Sequence, residues 1–166
     1  EEDWIGAFFS AENTYARLTS DALGAEYRIV SQSGWGVVCG WDNDPHHTLP
    51  PYYEQVCGVA EGAHNAALGA KLQNDFSAWQ PDAVVLNIGT NDESAFRNPA
   101  WLDPVTGKAY KLRTQPDGSY HPEDVRRLQD AACDFLTMLR KRNPRAVLVW
   151  SYGMLGNGLQ EVLQGA

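Results

Sequence analysis

The sequence predicts an α/β domain: a parallel sheet with helices over both faces. Three observations carry this. Ala83-Val84-Val85-Leu86-Asn87-Ile88 and Ala146-Val147-Leu148-Val149-Trp150 are short, almost wholly apolar and rich in β-branched residues, the composition of strands buried on both faces. Amphipathic helical patterns lie before and between them. Strands separated by helices imply right-handed crossovers within one sheet. With 166 residues, 43% of them hydrophobic, the chain is read as a single domain over 1–166 with a substantial core.

The elements follow in order. Ser10 is placed to cap a first helix, with Glu12 in its first turn, Tyr15, Leu18 and Ala22 at helical spacing, and Gly24 as its stop. Tyr27-Arg28-Ile29-Val30 reads as a short strand. The stripe Leu68, Leu72, Phe76 and Trp79 predicts a second helix over 62–79, broken by Gln80-Pro81-Asp82. A third helix begins at His121-Pro122-Glu123-Asp124, with proline and acids where a helix start favours them. Its apolar face is Val125, Leu128, Ala132, Phe135 and Leu139, its last turn carries Arg140-Lys141-Arg142, and Asn143-Pro144 ends it. A short helix is expected from about residue 157. A helix stands first with no strand before it, and three strands are few for such a sheet, so a strand is expected to be missing at the N-terminal side.

Charge narrows the partners. Lys and Arg number 13 against 21 Asp and Glu, for a net charge of −8. Nucleic acid and anionic membrane surfaces select clustered cations, so neither is expected as a partner. No apolar run has the length of a membrane span. The acidic start Glu1-Glu2-Asp3-Trp4 carries no signal-peptide pattern and no methionine, which reads as a processed chain or a fragment, compatible with a secreted or a cytoplasmic bacterial protein. Oligomeric state is not encoded in any feature of the chain.

Of the three cysteines, Cys133 falls in a helical pattern as a small core or boundary residue. Cys39 and Cys57 flank one loop and are able to pair if the protein is secreted. Together with His46 and His47 they offer sulfur and imidazole ligands, but their spacing matches no usual zinc module, and no metal or organic cofactor is expected.

Two long irregular segments, 39–61 and 94–120, each follow the carboxyl end of an expected strand, where open α/β sheets bind ligands. Lys108 to Arg113 reads as part of a hairpin. Two motifs open these segments. Gly89-Thr90-Asn91-Asp92 follows the strand ending at Ile88. The Asn91 amide is a neutral double donor suited to an oxyanion that forms during acyl transfer, with Asp92 available to orient Asn91 or the loop; the same four residues are also good turn chemistry. Ser31-Gln32-Ser33-Gly34-Trp35-Gly36 follows the strand at Ile29-Val30, and its glycines let backbone N–H groups approach a ligand. Ser33 lacks the Gly-x-Ser-x-Gly setting of a nucleophile. His46 and His47 are the internal candidates for a base, set against the simpler role of exposed loop histidines.

In their order and strand context the two motifs resemble the second and third blocks of the SGNH (GDSL-type) hydrolases. The similarity extends to Ala11-Glu12-Asn13, Leu23-Gly24-Ala25, Arg142-Asn143-Pro144 and Tyr152-Gly153-Met154. The surroundings look most like the branch that holds the family-two carbohydrate esterases, which deacetylate xylan and related sugars. The resemblance implies a flavodoxin-like three-layer α/β/α fold, here incomplete at both ends. It implies an oxyanion hole from the Gly34 N–H and the Asn91 amide, with Trp35 and Asp92 as substrate contacts, and a small-molecule or glycan ester as substrate. Aromatics in the two long segments suit sugar rings. The family's Gly-Asp-Ser block and its late histidine have no counterpart here, so the isolated chain is expected to be inactive and the intact parent to be the esterase. A carbohydrate-binding module, a lysophospholipase-like acyl hydrolase and a non-catalytic regulatory domain remain as alternatives.

Overall fold

The structure, a computed structural model, describes residues 10–152 and 156–165. By internal contacts the chain divides into two compact units, Glu1–Ser31 and Gln32–Ala166. In the first unit a 3₁₀ turn, Ala11–Asn13, leads into α1, Tyr15–Leu23. The tighter turn moves the start of the helix, so the cap is Thr14, which accepts the Arg17 N–H at 3.2 Å, and not the expected Ser10. Gly24 ends α1 as expected, at φ 61°, with the Ala25 N–H on the Ser20 carbonyl at 2.9 Å. Tyr27–Val30 is not the expected strand. It pairs with no strand among the described residues, and Ile29 and Val30 stand 48% and 43% exposed. β-branched composition favours a strand only where a neighbour supplies a ladder.

The second unit opens with a looped segment over 34–49, followed by a 3₁₀ turn, Pro50–Tyr52. Where a helix over 62–79 is expected, only α2, Ala63–Ala67, forms. Gly69 at φ 85° turns the chain back, and Val56 and Cys57 N–H groups bond the Leu72 and Ala70 carbonyls at 2.9 Å. The stripe therefore breaks, leaving Leu68 and Leu72 exposed while Phe76 stacks on Tyr53.

β1, Ala83–Leu86, follows, then α3, Thr90–Arg97, the hairpin of β2, Trp101–Leu102, and β3, Ala109–Tyr110, then α4, Pro122–Arg142, β4, Val147–Trp150, and α5, Gln160–Gln164. The hairpin and the long helix match expectation, with His121 as cap and Pro122 at the first position of α4. The helical turns of α3 within 94–120 were not anticipated. β1 and β4 pair in parallel, Ala83 opposite Val147 through Leu86 opposite Trp150. This parallel pair with its intervening helices is the α/β architecture expected.

The sheet pair is covered on one face. Val84, Leu86, Leu148 and Trp150 pack onto Phe135 and Leu139 of α4. The alternate residues Val85, Val147 and Val149 are 58%, 62% and 43% exposed, so the expected burial on both faces is not met among the described residues. Cys133, expected in the core or at its boundary, is exposed; Cys39 is buried and Cys57 exposed, and all three are free thiols. A second cluster, Val37, Val38, Cys39, Ala95, Phe96, Leu112, Leu128 and Leu159, joins the looped segment to α3, α4 and the start of α5. No helix of the described residues is long and apolar enough to cross a membrane.

The two faces make contrasting expectations for urea unfolding. Leu139, 1% exposed against the covered face, should cost about 3 kcal/mol as Leu139→Ala. Val147→Thr, on the bare face, should cost less than about 1 kcal/mol.

Candidate active site

The candidate site is organised by the first turn of α3, which starts where β1 ends. Gly89 caps it at φ 117°, and a Cβ there would lie 2.5 Å from the Tyr152 hydroxyl, so this position requires glycine on both counts. The following polar residues then point to different segments.

Asn91, half-buried, donates from Nδ2 to the Trp35 carbonyl at 2.7 Å. Among the described residues this is the only hydrogen bond of that nitrogen, so its second N–H is left over. The Gly34 N–H likewise makes no hydrogen bond among the described residues, while the Gly34 carbonyl accepts from Trp41 at 3.0 Å. Gly34 sits at φ 81°, and its missing Cβ leaves room for the Trp41 indole at 3.0 Å. The two donors singled out in the sequence are thus linked through one residue, Trp35, with an N–H remaining on each.

Asp92 is 0% exposed and does not reach the surface, so the expected substrate contact at this residue is corrected. Its alternative expected task, orienting the loop, is what the geometry supplies. Oδ2 accepts the Val37 N–H at 2.8 Å, and Oδ1 accepts the Val38 N–H at 2.8 Å and the Cys39 N–H at 3.4 Å. No Lys or Arg pairs with it among the described residues. Burial raises its pKa to about 6, against the lowering effect of the backbone N–H groups.

Glu93, also buried, accepts from Arg97 Nη2 at 2.9 Å and from the Gly158 N–H at 2.9 Å, which ties α3 to the segment beyond β4. Asn43, 1% exposed and at φ 69°, donates to the Ala95 and Pro99 carbonyls at 2.8 and 3.0 Å and accepts the Leu112 N–H at 2.7 Å. It joins the looped segment to the end of α3 and to the strand-like stretch after β3. Neither residue is singled out by the sequence. Asp42-Asn43-Asp44-Pro45 reads as a turn, and an asparagine that tolerates positive φ is the only local hint.

The Trp35 ring stacks on His47, centroids 5.4 Å apart and 17° between planes, and Tyr52 tilts against it at 5.0 Å. His46 Nδ1 lies 2.9 Å from Asp44 Oδ1, and its ring is edge-on to Trp101. His47 stands between Asp42 and Asp44, at 3.8 and 3.6 Å, too far for hydrogen bonds. The ligand atoms of Asp42, Asp44 and His47 lie within 4.8 Å of one another. The considered zinc set of Cys39, His46, His47 and Cys57 is not brought together: Cys39 is in the core, Cys57 is on the surface, and His46 and His47 face carboxylates. The Gly153-Met154 part of the Tyr152-Gly153-Met154 similarity lies outside the described residues.

Two measurements follow. Asn43→Ala removes a buried donor and acceptor and places Ala at positive φ, and should cost about 3 kcal/mol in urea unfolding. For Asp92 the folded pKa lies above the unfolded value, so its contribution to stability is complete below about pH 3.8 and is lost as pH rises through about 6. Between about pH 4 and about pH 7 the urea midpoint of the wild type should therefore fall relative to that of Asp92→Asn.

No family model matches the chain. It is similar to the solved structure of an acetyl xylan esterase from the rumen bacterium Butyrivibrio proteoclasticus, at 52% identity and TM-score 0.92 over 95% of this chain and 42% of that one. A family two carbohydrate esterase from Cellvibrio japonicus has a TM-score of 0.66 at 20% identity, over 96% of this chain and 38% of that one, a likeness of fold alone. Among curated proteins, an acetylxylan esterase / glucomannan deacetylase of Cellvibrio japonicus (strain Ueda107) is 31% identical over 94 residues, 56% of this chain and 24% of that protein. The chain spans less than half the length of each. Over nearly all of its length the chain is thus similar in sequence and fold to part of an acetyl xylan esterase, and in fold to part of a family two carbohydrate esterase.

Proposed function

We propose that this chain supplies the oxyanion-binding part of a serine esterase that removes acetyl groups from carbohydrate. The observation that carries the reading is the Asn91 amide, fixed on the Trp35 carbonyl, with one N–H to spare, and a Gly34 N–H that, like it, has no partner among the described residues. Donors held in place and left unpaired in the resting protein are what a developing oxyanion needs. The 52% identity to an acetyl xylan esterase supports the substrate class.

In this reading the nucleophilic serine and the histidine come from parts of the parent that this chain does not cover. The serine Oγ attacks the acetyl carbonyl as the histidine takes its proton, and the carbonyl oxygen becomes an oxyanion held by Gly34 N–H and Asn91 Nδ2. Collapse expels the sugar hydroxyl, which takes the proton back from histidine. Water, activated by the same histidine, then releases acetate from the acyl-serine. Trp35, backed by His47 and Tyr52, offers its ring to the sugar.

The test is acetate release from acetylated xylan by the longer protein. Asn91→Ala should lower kcat about a hundredfold or more and leave KM within a few-fold. An unchanged kcat, or no acetate released by the wild type, would sink the reading. The isolated chain should hydrolyse nitrophenyl acetate no faster than buffer.

A further inference from the structure

The mechanism above gives Asp92 no chemical task, yet Asp92 is the most constrained ionisable group near the site. A carboxylate at 0% exposure, with no Lys or Arg paired to it among the described residues, is expensive to bury. What surrounds it is a nest of successive backbone N–H groups, those of Val37, Val38 and Cys39. The approach is close enough that Gly36 has no room for a side chain: a Cβ there would lie 2.4 Å from Asp92 Oδ2 and 2.3 Å from the Cys39 carbonyl oxygen. Gly36 is itself held on its other side, donating to the His47 carbonyl at 3.1 Å and accepting from the Leu49 N–H at 2.9 Å.

The segment carrying Gly34 is therefore gripped twice by adjacent residues of one helical turn. Asn91 holds the Trp35 carbonyl, and Asp92 holds the N–H groups that follow. We propose that Asp92 is a positioning residue: as a carboxylate it fixes the Val37–Cys39 backbone and so sets the Gly34 N–H relative to the Asn91 amide, an inference that rests on the esterase reading. A neutral group in its place, protonated Asp or Asn, turns a donor toward backbone donors and loses at least one of these bonds. The grip then loosens while Asn91 and the substrate contacts remain.

The charges around Asp92 leave it as the group whose titration would show this. Cys39, from the gripped segment, and Tyr152, from beyond β4, face it; burial and nearby carboxylates push both well above their ordinary values, so both are neutral near pH 6. Glu93, on its own helix, is engaged with Arg97 and Gly158. Arg127 of α4 works against the rise at Cys39.

The experiment compares wild type, Asp92→Asn and Asp92→Glu in the longer protein, following acetate release from about pH 5 to about pH 8. Asp92→Asn should lower kcat at least about tenfold at the alkaline end with KM within about twofold, and Asp92→Glu should recover part of it. The ratio of wild-type to Asp92→Asn kcat should shrink below about pH 6; taking the ratio removes the titration of the catalytic histidine, common to both. A ratio that stays flat with pH, or a wild-type kcat in Asp92→Asn, overturns the proposal. A wild type that releases no acetate overturns the esterase reading and this inference with it. A measurement on unmutated protein keeps the test open if the variants fail to fold. The amide proton chemical shifts of Val37 and Val38, which report their hydrogen bonds to the carboxylate, should move together with a midpoint at about pH 6, while that of Leu139 in the core of α4 stays constant. Val37 and Val38 shifts that stay constant across that range also overturn the proposal.

Discussion

A carboxylate out of reach of water, answered only by backbone N–H groups, is the constraint around which this molecule's candidate site is built. Asp92 carries a charge that burial opposes, and no side chain neutralises it among the described residues. The backbone has to come to it, and it comes as the consecutive N–H groups of Val37, Val38 and Cys39. That demand reaches far along the chain: it requires glycine at 36, places Val37, Val38 and Cys39 in the core, and holds a looped stretch with little secondary structure of its own against α3. On either side, Asn91 and Glu93 extend the same turn to Trp35 and to Gly158. One helical turn, fixed by the end of β1, thus sets segments that are distant in sequence.

What the sequence disclosed of the fold follows the strength of local signals. α4 was legible because its period, its proline start and its cationic end agree over 21 residues. β1 and β4 were legible from composition, and their parallel pairing from the elements between them. Legibility failed where one signal stood alone. Leu68, Leu72, Phe76 and Trp79 have helical spacing, but Gly69 takes a left-handed turn and the chain pairs backward on 54–57. Ile29 and Val30 have strand composition but no strand to pair with among the described residues. Val85, Val147 and Val149 are as apolar as a doubly covered strand requires, and in this chain their face is bare. A pattern states what a segment is suited to; a partner decides what it forms.

The site divides the same way. Gly34 and Asn91 were visible because each follows a strand-like run, where binding residues collect, and because Asn and Gly have particular uses there. Trp35 was visible as the aromatic between the glycines. Asp92 was visible but misassigned as a substrate contact, since nothing local to Gly-Thr-Asn-Asp tells an aspartate that faces solvent from one that faces backbone more than 50 residues away. Asn43 was invisible for a similar reason: its partners at Ala95, Pro99 and Leu112 are all remote, and its own neighbourhood reads as a plain acidic turn.

The arrangement runs against stability in two places, and the two belong together. Among the described residues the Gly34 N–H and one Asn91 N–H lack partners, and donors kept without partners cost free energy. Asp92 costs more, and its pKa of about 6 says that the fold would rather hold it neutral. A hydrophobic residue at 92 would relieve that cost but leave the Val37, Val38 and Cys39 N–H groups unanswered, so the loop would have to open to solvate them. Opening it would move the backbone that bears Gly34. A site that stabilises charge only when the reaction creates it needs donors that neither relax onto each other nor drift toward water. In this chain the first condition is met by Trp35 taking a single N–H of Asn91, and the second by a charge buried directly beneath the loop.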